Sequence, residues 1–580
     1  MSSAPATRRR GSFTRGKRAQ IPGDLLNPHH MTKPDRFFSK KLRGSGVHNG
    51  NSLKTGEALC APGFYSAIAA SRIPTVLWRG PGVKNGMPAS FPPSQALPGW
   101  RLEHSYARLP ELFHKPWKLA PVRAPRLVML NRPLARTLGL DPDVLEREEN
   151  AAVFAGNKLP DGANPLAQAY AGHQFGNFTG LGDGRALLLG EQITPEGARY
   201  DIQLKGSGRT PFSRGGDGRA ALGPMLREWI ISEAMHALEI PTTRSLAVAA
   251  TGEWVERKER LPGAVLTRVA ASHVRVGTFQ WAAAHEAPDA LQALADYTLC
   301  RHYPDRAEAE NPALALLDAV LERQAELVAR WLHVGFIHGV MNTDNMSLSG
   351  ETIDYGPCAF LDHYDPATTF SSIDRGKRYA FANQPGIAQW NLARLAEALL
   401  PVLHPEQTRA LDAANAAIHA FPDRFKRQWL AGFRAKLGLF TEEAGDEKLS
   451  QTLLDWMEQT RADYTNTFLA LSAESALDTA YSADPAFGEW HAQWLARRSR
   501  QPQTGAEVVR LMRTRNPAVI PRNHKVEQAL SAATDHGDLA PMERLLAVLA
   551  QPYAPGSVPP PEFVEPAPPS DTPYQTFCGT

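Results

Sequence analysis

Apolar and polar positions alternate with different periods in the two halves of this 580-residue chain. In Tyr200–Lys205, the residues Tyr200, Ile202 and Leu204 share one face by period-2 alternation, which predicts a strand and puts Lys205 on the opposite, polar face. The run Ala186-Leu187-Leu188-Leu189 predicts a short apolar strand, and Val265–Val269 carries the strand pattern around Arg268. Between residues 220 and 238, Leu222, Met225, Leu226, Trp229 and Ile230 recur at helical spacing, with Glu228 close to the stripe. Residues 313–334 predict a long helix on Leu314, Leu317, Leu321, Val328 and Leu332. Strands early and helices late predict an α+β fold of two lobes, a β-rich lobe over residues 99–280 and a helical lobe over 281–550.

The ends do not follow either rhythm. Residues 1–98 carry 15 Lys/Arg against 3 Asp/Glu, whereas the whole chain is only +3. Basic, Gly/Ser/Pro-rich and without periodicity, they read as a disordered extension. Arg8-Arg9-Arg10 is not followed by an apolar run, which argues against a secretory signal. The expected compartment is cytoplasmic, with a mitochondrial transit peptide as the alternative reading and initiation at Met87 as the plain one. A nucleic-acid-binding arm is disfavoured by the scarcity of aromatics. Residues 552–573 hold nine prolines in 22 positions and read as an extended tail over 551–580, not a packed element.

Composition removes other classes. With 43% hydrophobic residues a core is available, and no stretch approaches the roughly 18 apolar residues of a membrane span. Four scattered cysteines (Cys60, Cys300, Cys358, Cys578) are too few for a disulfide scaffold or zinc cluster, and the setting reads as reducing.

The chemistry starts at Tyr170, in YAGHQFGNFTGLGDGRALLLGE. Gly182 and Gly184 let backbone N–H groups approach a polyphosphate, and Arg185 adds a forked cation. Alone, this pattern is equally an ordinary Gly-rich turn. It is followed by Lys205 on a strand and Glu228 on a helix, the order in which a kinase grips phosphate with Lys and holds that Lys with Glu. The segment Gly206–Arg219, containing Asp217 and Gly218, is too rich in Gly and Arg for core, and Arg268 and Arg275 add further cations suited to a triphosphate. For each arginine singly, surface pairing is the alternative.

After the long helix comes Gly335-Phe336-Ile337-His338-Gly339-Val340-Met341-Asn342-Thr343-Asp344-Asn345, and nine residues further Asp354-Tyr355-Gly356. Asn345 and Asp354 are the oxygen-ligand pair expected to hold Mg²⁺ in a kinase-like site. One position departs. Kinases place a base Asp five residues before that Asn, where this chain has Val340, and an acid appears instead at Asp344.

At this point the chain resembles the selenoprotein O family of pseudokinases, which are protein nucleotidyltransferases. The resemblance runs from Trp100 to about Leu530 and rests on YAGHQFG, LGDGR, QLKGSGRTPFSRGGDGR, LTRVAASHVRVGTF, GVMNTDN and IDYGP, in that order. It implies a two-lobed protein-kinase-like fold. It also implies an ATP bound inverted relative to a kinase and transfer of AMP to Ser, Thr or Tyr hydroxyls of proteins, self-modification included. By the same resemblance Gly182, Gly184, Arg185, Lys205, Asp217, Gly218, Arg268, Arg275 and Asp354 match ATP-binding positions, Glu228 the acid that pairs with the lysine, and Asp344 the proton acceptor. Asn345 and Asp354 match ligands of Mg²⁺ (or Mn²⁺), and Cys578 a redox-active position near the C-terminus. Competing readings are a true kinase, UMP transfer from UTP, and a silent nucleotide-binding scaffold.

Overall fold

The period-2 segments become strands of one nine-stranded sheet. The computed structural model describes residues 98–473, 481, 483–553, 559–570 and 572–577. The basic extension, Pro98 apart, lies outside them. In chain order the early strands are β1 (Leu102–Glu103), β2 (His114–Pro116), β3 (Arg126–Leu130), β4 (Leu166–Gln168), β5 (Ala171–Gln174), β6 (Asn177–Gly180), β7 (Ala186–Ile193), β8 (Arg199–Lys205), β9 (Ala220–Ala221), β10 (Arg244–Glu256) and β11 (Arg260–Ala270). The sheet runs β2-β4-β7-β8-β11-β10-β3, with β1 on β7 and β9 on β11, while β5 and β6 form a separate hairpin.

Register explains what the sheet carries. In β8, Lys205 pairs with Ala186 of β7 on one side and with Leu266 of β11 on the other. Arg268 lies opposite Gln203, two residues before Lys205, so both cations project from the same face. The predicted polar face of β8 is not solvated. Asp201, Gln203 and Lys205 are 1%, 0% and 5% exposed, because helices cover that face and the polar groups pair beneath them. The opposite face, with Ile202 and Leu204, packs on Leu134, Ala135, Leu138 and Val265 in a smaller core.

The helical spacing at 220–238 forms the helix Leu222–Ala237, and the long helix is Pro312–His333. Asn311 caps the latter by accepting from Leu314 N at 3.0 Å, with Pro312 preset for the first turn. Beyond it, β12 (Phe336–Ile337) and β13 (Ala359–Phe360) bracket the loop of interest, followed by further helices to Leu549. The main core joins the inner face of the sheet to these helices through residues such as Leu226, Leu266, Val320, Phe336 and Leu392. This β-rich lobe followed by a helical one is an α+β, protein-kinase-like arrangement. Among the described residues, no helix is long and apolar enough to cross a membrane.

One reading changes. The Pro-rich tail is partly packed: Pro561–Val564 is a helical turn whose Phe563 enters the main core, and Arg522 donates to Val564 O at 2.6 Å. Further on, Thr576 N donates to Phe370 O at 2.7 Å and Thr576 Oγ1 to Pro357 O at 2.8 Å. Isolated apolar and hydroxyl residues inside the proline run supply these anchors. Cys300 is disulfide-bonded and Cys358 is a buried free thiol; Cys60 and Cys578 lie outside the described residues.

Candidate active site

Lys205 Nζ donates to Glu228 Oε2 at 2.6 Å and also pairs with Asp354 Oδ1. Arg268 reaches the same two carboxylates, Nε to Glu228 Oε1 at 2.7 Å and a terminal N to Asp354 Oδ1 at 3.1 Å. Glu228 occupies a buried position of its helix among Leu226, Trp229 and Ile230, so the acid beside the apolar stripe faces inward for a reason: it meets two cations. Burial pushes the Glu228 carboxyl up, but Arg268 and Lys205 outweigh it and hold it below the usual range. Asp354 behaves likewise: burial opposes ionisation, and Lys205 and Arg268 still hold the carboxyl well below its ordinary value. Asp354 has φ +70°, a left-handed backbone that an ordinary residue keeps only when its surroundings impose it. His338, fully buried, lies with Nε2 2.9 Å from Ile353 O and fixes that turn from behind.

The glycine segment leads into β7. Gly182 has φ +115°, and a Cβ there would meet the Phe212 ring at 2.5–2.9 Å. Phe212 comes from the Gly/Arg-rich segment 206–219, which folds back over the glycines; Thr210 Oγ1 donates to Asp183 O at 2.6 Å. At its far end Gly218 has φ +69°, and exposed Asp217 accepts from Arg219 N at 2.9 Å while pairing with Arg257 at 2.9 Å. Glycine is needed at 182 and 218 because backbone crosses backbone or ring there.

The catalytic-loop segment is a single 3₁₀ turn, Thr343–Asn345. Asn345 Nδ2 donates to Val340 O at 3.1 Å, which leaves the amide oxygen as its free donor atom toward a cation. Val340 itself is a buried apolar side chain. Asp344 is 8% exposed and its Oδ1 has no hydrogen-bond partner; burial pushes its carboxyl up to about 6. Arg275 caps the helix Val276–Ala284, donates to Asp344 O at 3.1 Å and stacks 4.3 Å over the Tyr170 ring.

A cavity of about 620 Å³ brings together Gly182, Gly184, Arg185, Lys205, Asp217, Gly218, Arg268, Arg275, Asp344, Asn345 and Asp354. Glu228 stands behind Lys205, and Cys578 lies outside the described residues. Sequence reasoning missed Asp183, 3% exposed, which accepts from Gln168 N and Gln203 Nε2 at 3.2 Å each and lines the cavity. It also missed the role of YAGHQFG. This hairpin, β5–β6, holds the catalytic loop: His173 N donates to Thr343 Oγ1 at 2.7 Å, and Phe175 N to Asn342 Oδ1 at 3.1 Å. Asn345 and Asp354 offer the cavity two side-chain oxygen donors, the number Mg²⁺ takes from protein when phosphates and water complete its shell, and Asp344 on the same cavity has a buried Oδ1 without a hydrogen-bond partner. The donor set fits a hard divalent ion. No group of three or more His, Cys, Asp or Glu among the described residues could hold a metal by itself.

The kinase-like frame carries a buried Lys–Glu pair beside a cavity lined with arginines, and a hydrocarbon, Val340, at the position where a kinase keeps its base. The family model described as "Protein adenylyltransferase SelO" matches residues 100–550, and the chain belongs to that family of nucleotidyltransferases. It is 61% identical over 482 residues to the protein nucleotidyltransferase YdiU of Bacillus cytotoxicus, covering 83% of this chain and 98% of that one. It is 60% identical over 485 residues to the protein of the same name from Brevibacillus brevis, with 83% and 98% covered. Among solved structures, ROP2 from Toxoplasma gondii, titled a virulence factor with a protein-kinase fold and no enzymatic activity, covers 58% of this chain and 88% of that one at 10% identity. Its TM-score of 0.21 is too low to carry weight.

Proposed function

We propose that the protein transfers AMP from ATP to Ser, Thr or Tyr hydroxyls of proteins, its own included, with the nucleotide inverted relative to a kinase so that the α-phosphate faces Asp344. The observation that carries this is the exchange of positions in the catalytic loop. Val340 stands buried where a kinase base would meet the γ-phosphate acceptor, and Asp344 supplies the carboxylate instead. The names of the family and of its relatives agree with nucleotidyl transfer.

In this reading the four cations Arg185, Lys205, Arg268 and Arg275 take the β- and γ-phosphates, which leave as pyrophosphate. Gly182, Gly184 and Gly218 let backbone amides approach the same oxygens. Asp344 accepts the hydroxyl proton as the acceptor oxygen bonds to the α-phosphorus and the bond to the bridging oxygen of pyrophosphate breaks. Glu228 keeps Lys205 and Arg268 aimed at the phosphates. Asn345 and Asp354 would hold Mg²⁺ or Mn²⁺, which when bound would supply Lewis-acid stabilisation of the charge developing on the phosphates.

Incubation with ATP labelled at the α- or the γ-phosphate tests the proposal. Metal-dependent covalent incorporation of the α-label, in the protein or in an added acceptor, is expected. Incorporation of the γ-label alone would restore the kinase reading.

A further inference from the structure

We propose that the basic and aromatic surface around the outer side of the catalytic loop docks acceptor proteins and selects hydroxyls flanked by acidic side chains. This deepens the proposed function and rests on transfer to protein hydroxyls. An acceptor hydroxyl must reach Asp344, so the polypeptide around it lies against whatever borders residues 342–345. Two elements do so. The β5–β6 hairpin bonds to Thr343 and Asn342, and the segment after β13 reaches the same asparagine through Tyr379, whose OH donates to Asn342 Oδ1 at 2.7 Å.

The side chains these elements present form one continuous aromatic run. Phe178, 45% exposed at the hairpin, meets His173 edge-on at 5.2 Å, and His173 meets Trp390 at 5.2 Å. Arg378 stacks 4.9 Å over the Trp390 ring, which orders its guanidinium before anything binds. Earlier in the same segment Ile373 is 52% exposed, and Arg375 and Lys377 are exposed as well. Of the acids in this segment, Asp362 pairs with Arg522 and Asp365 is exposed, while Asp374, next to these cations, is buried and turned inward, accepting from Arg378 N at 2.9 Å and Tyr379 N at 2.8 Å. Arg394, also stacked on Trp390, has its own acid in Glu397 at 2.8 Å. No ion pair among the described residues engages Arg375, Lys377 or Arg378, whereas Arg424, Arg434 and Arg522 of the same lobe are paired with carboxylates. Exposed Arg375 and Lys377, with half-buried Arg378 on the aromatic strip, are complementary to an acidic segment bearing one apolar side chain.

The test uses the full chain and three synthetic peptides of equal length. Each carries one Ser, one Thr and one Tyr, flanked by Glu, by Gln or by Lys. With α-labelled ATP and metal, the wild type is expected to use the Glu-flanked peptide with kcat/KM about tenfold above the Lys-flanked one, through KM. The exposed double variant Arg375→Glu/Lys377→Glu should lose or invert that preference while its KM for ATP stays unchanged. Phe178→Ala should raise KM for all three peptides alike. Equal use of the three peptides by the wild type, or an unaltered preference in the double variant, would overturn the docking site while leaving AMP transfer standing. Failure of any α-label to reach peptides or protein would overturn both.

Discussion

Gly172 offers the sharpest test of how the hairpin sets the catalytic loop. A Cβ built on Gly172 falls on the Asp344 carboxylate, 2.8 Å from Asp344 Cγ and 2.7 Å from Leu181 Cδ1. Carbon atoms in contact prefer about 3.5–4.0 Å, so Gly172→Ala must push one partner back by about 1 Å. Leu181 is buried and the hairpin backbone is tied to Thr343 and Asn342, so the Asp344 side chain is the group that yields. Gly172 has no positive φ, so alanine adds bulk without backbone strain. Overpacking of this size costs about 1–3 kcal/mol of stability, and a misplacement of about 1 Å at a reacting group costs on the order of 100-fold in rate. The measurement is α-label transfer under saturating ATP, with ATP affinity by calorimetry and unfolding by circular dichroism. Transfer should fall about 100-fold with ATP affinity unchanged. Gly180→Ala, in the same hairpin but only 3.4 Å from Trp281 Cζ3, should remain near wild type. A folded Gly172→Ala protein with normal transfer would refute the reasoning.

Three further outcomes follow from the same contacts. Asp354→Asn keeps the volume but removes an anion from the proposed metal site, and transfer should fall by about 100- to 1,000-fold with the unfolding midpoint little changed; a rate close to wild type would contradict the ligand assignment. Glu228→Gln leaves buried Lys205 and Arg268 short of a shared anion, and a loss of about 3–5 kcal/mol is expected in urea titration, against under 1 kcal/mol if the pair is dispensable. Glu351 is pushed up to about 7, by burial first, with Asp201 adding to it and Arg301, Ser349 and the Ala271 amide opposing. Its folded form therefore binds a proton more tightly than its unfolded form, so stability should decline as pH rises from about 4.5 through 7. The decline is about 1–2 kcal/mol after allowing for its partly open side. Glu351→Gln should flatten urea midpoints between pH 5 and 8, and an unchanged slope would exclude this group as the cause.

The sheet and the long helix were legible because their periods reflect burial directly, and the strands carrying Lys205 and Arg268 and the helix carrying Glu228 appear where alternation and stripe put them. Spacing also isolated the cavity residues, because glycines that must admit backbone and charges that must meet phosphate leave a local pattern. Other features are tertiary and leave none. The burial of Lys205 depends on Glu228 and on Asp354, which comes from a loop 149 residues away. Asp183 looks like any acid between two glycines until Gln168 and Gln203 close on it. The YAGHQFG hairpin reads as a glycine-bearing strand pair, and its hold on Asn342 and Thr343 spans some 170 residues. Phe563 is one aromatic in a proline run, and only the core of the molecule gives it a place.

Lys205 and Arg268 share Glu228 and Asp354, and the two carboxylates differ in access. Glu228 is 3% exposed at its side chain and can serve nothing but these cations, whereas Asp354 is 30% exposed and opens onto the cavity. In the proposed reaction Asp354 must also meet a divalent ion, which two neighbouring positive charges oppose by Coulomb repulsion. The conflict resolves only if phosphate oxygens draw Lys205 and Arg268 toward themselves as the metal arrives, so that each cation exchanges a carboxylate for a phosphate. In the proposed reaction metal and nucleotide would then bind as one charge-balanced unit, each raising the affinity for the other. Glu228 makes the exchange reversible: it keeps both cations solvated by an anion when the cavity is empty, and it stays with them when Asp354 is taken. The buried acid on the helix thus has a continuing task, and it accounts for a charge placed among Leu226, Trp229 and Ile230 where packing alone would have favoured a hydrocarbon.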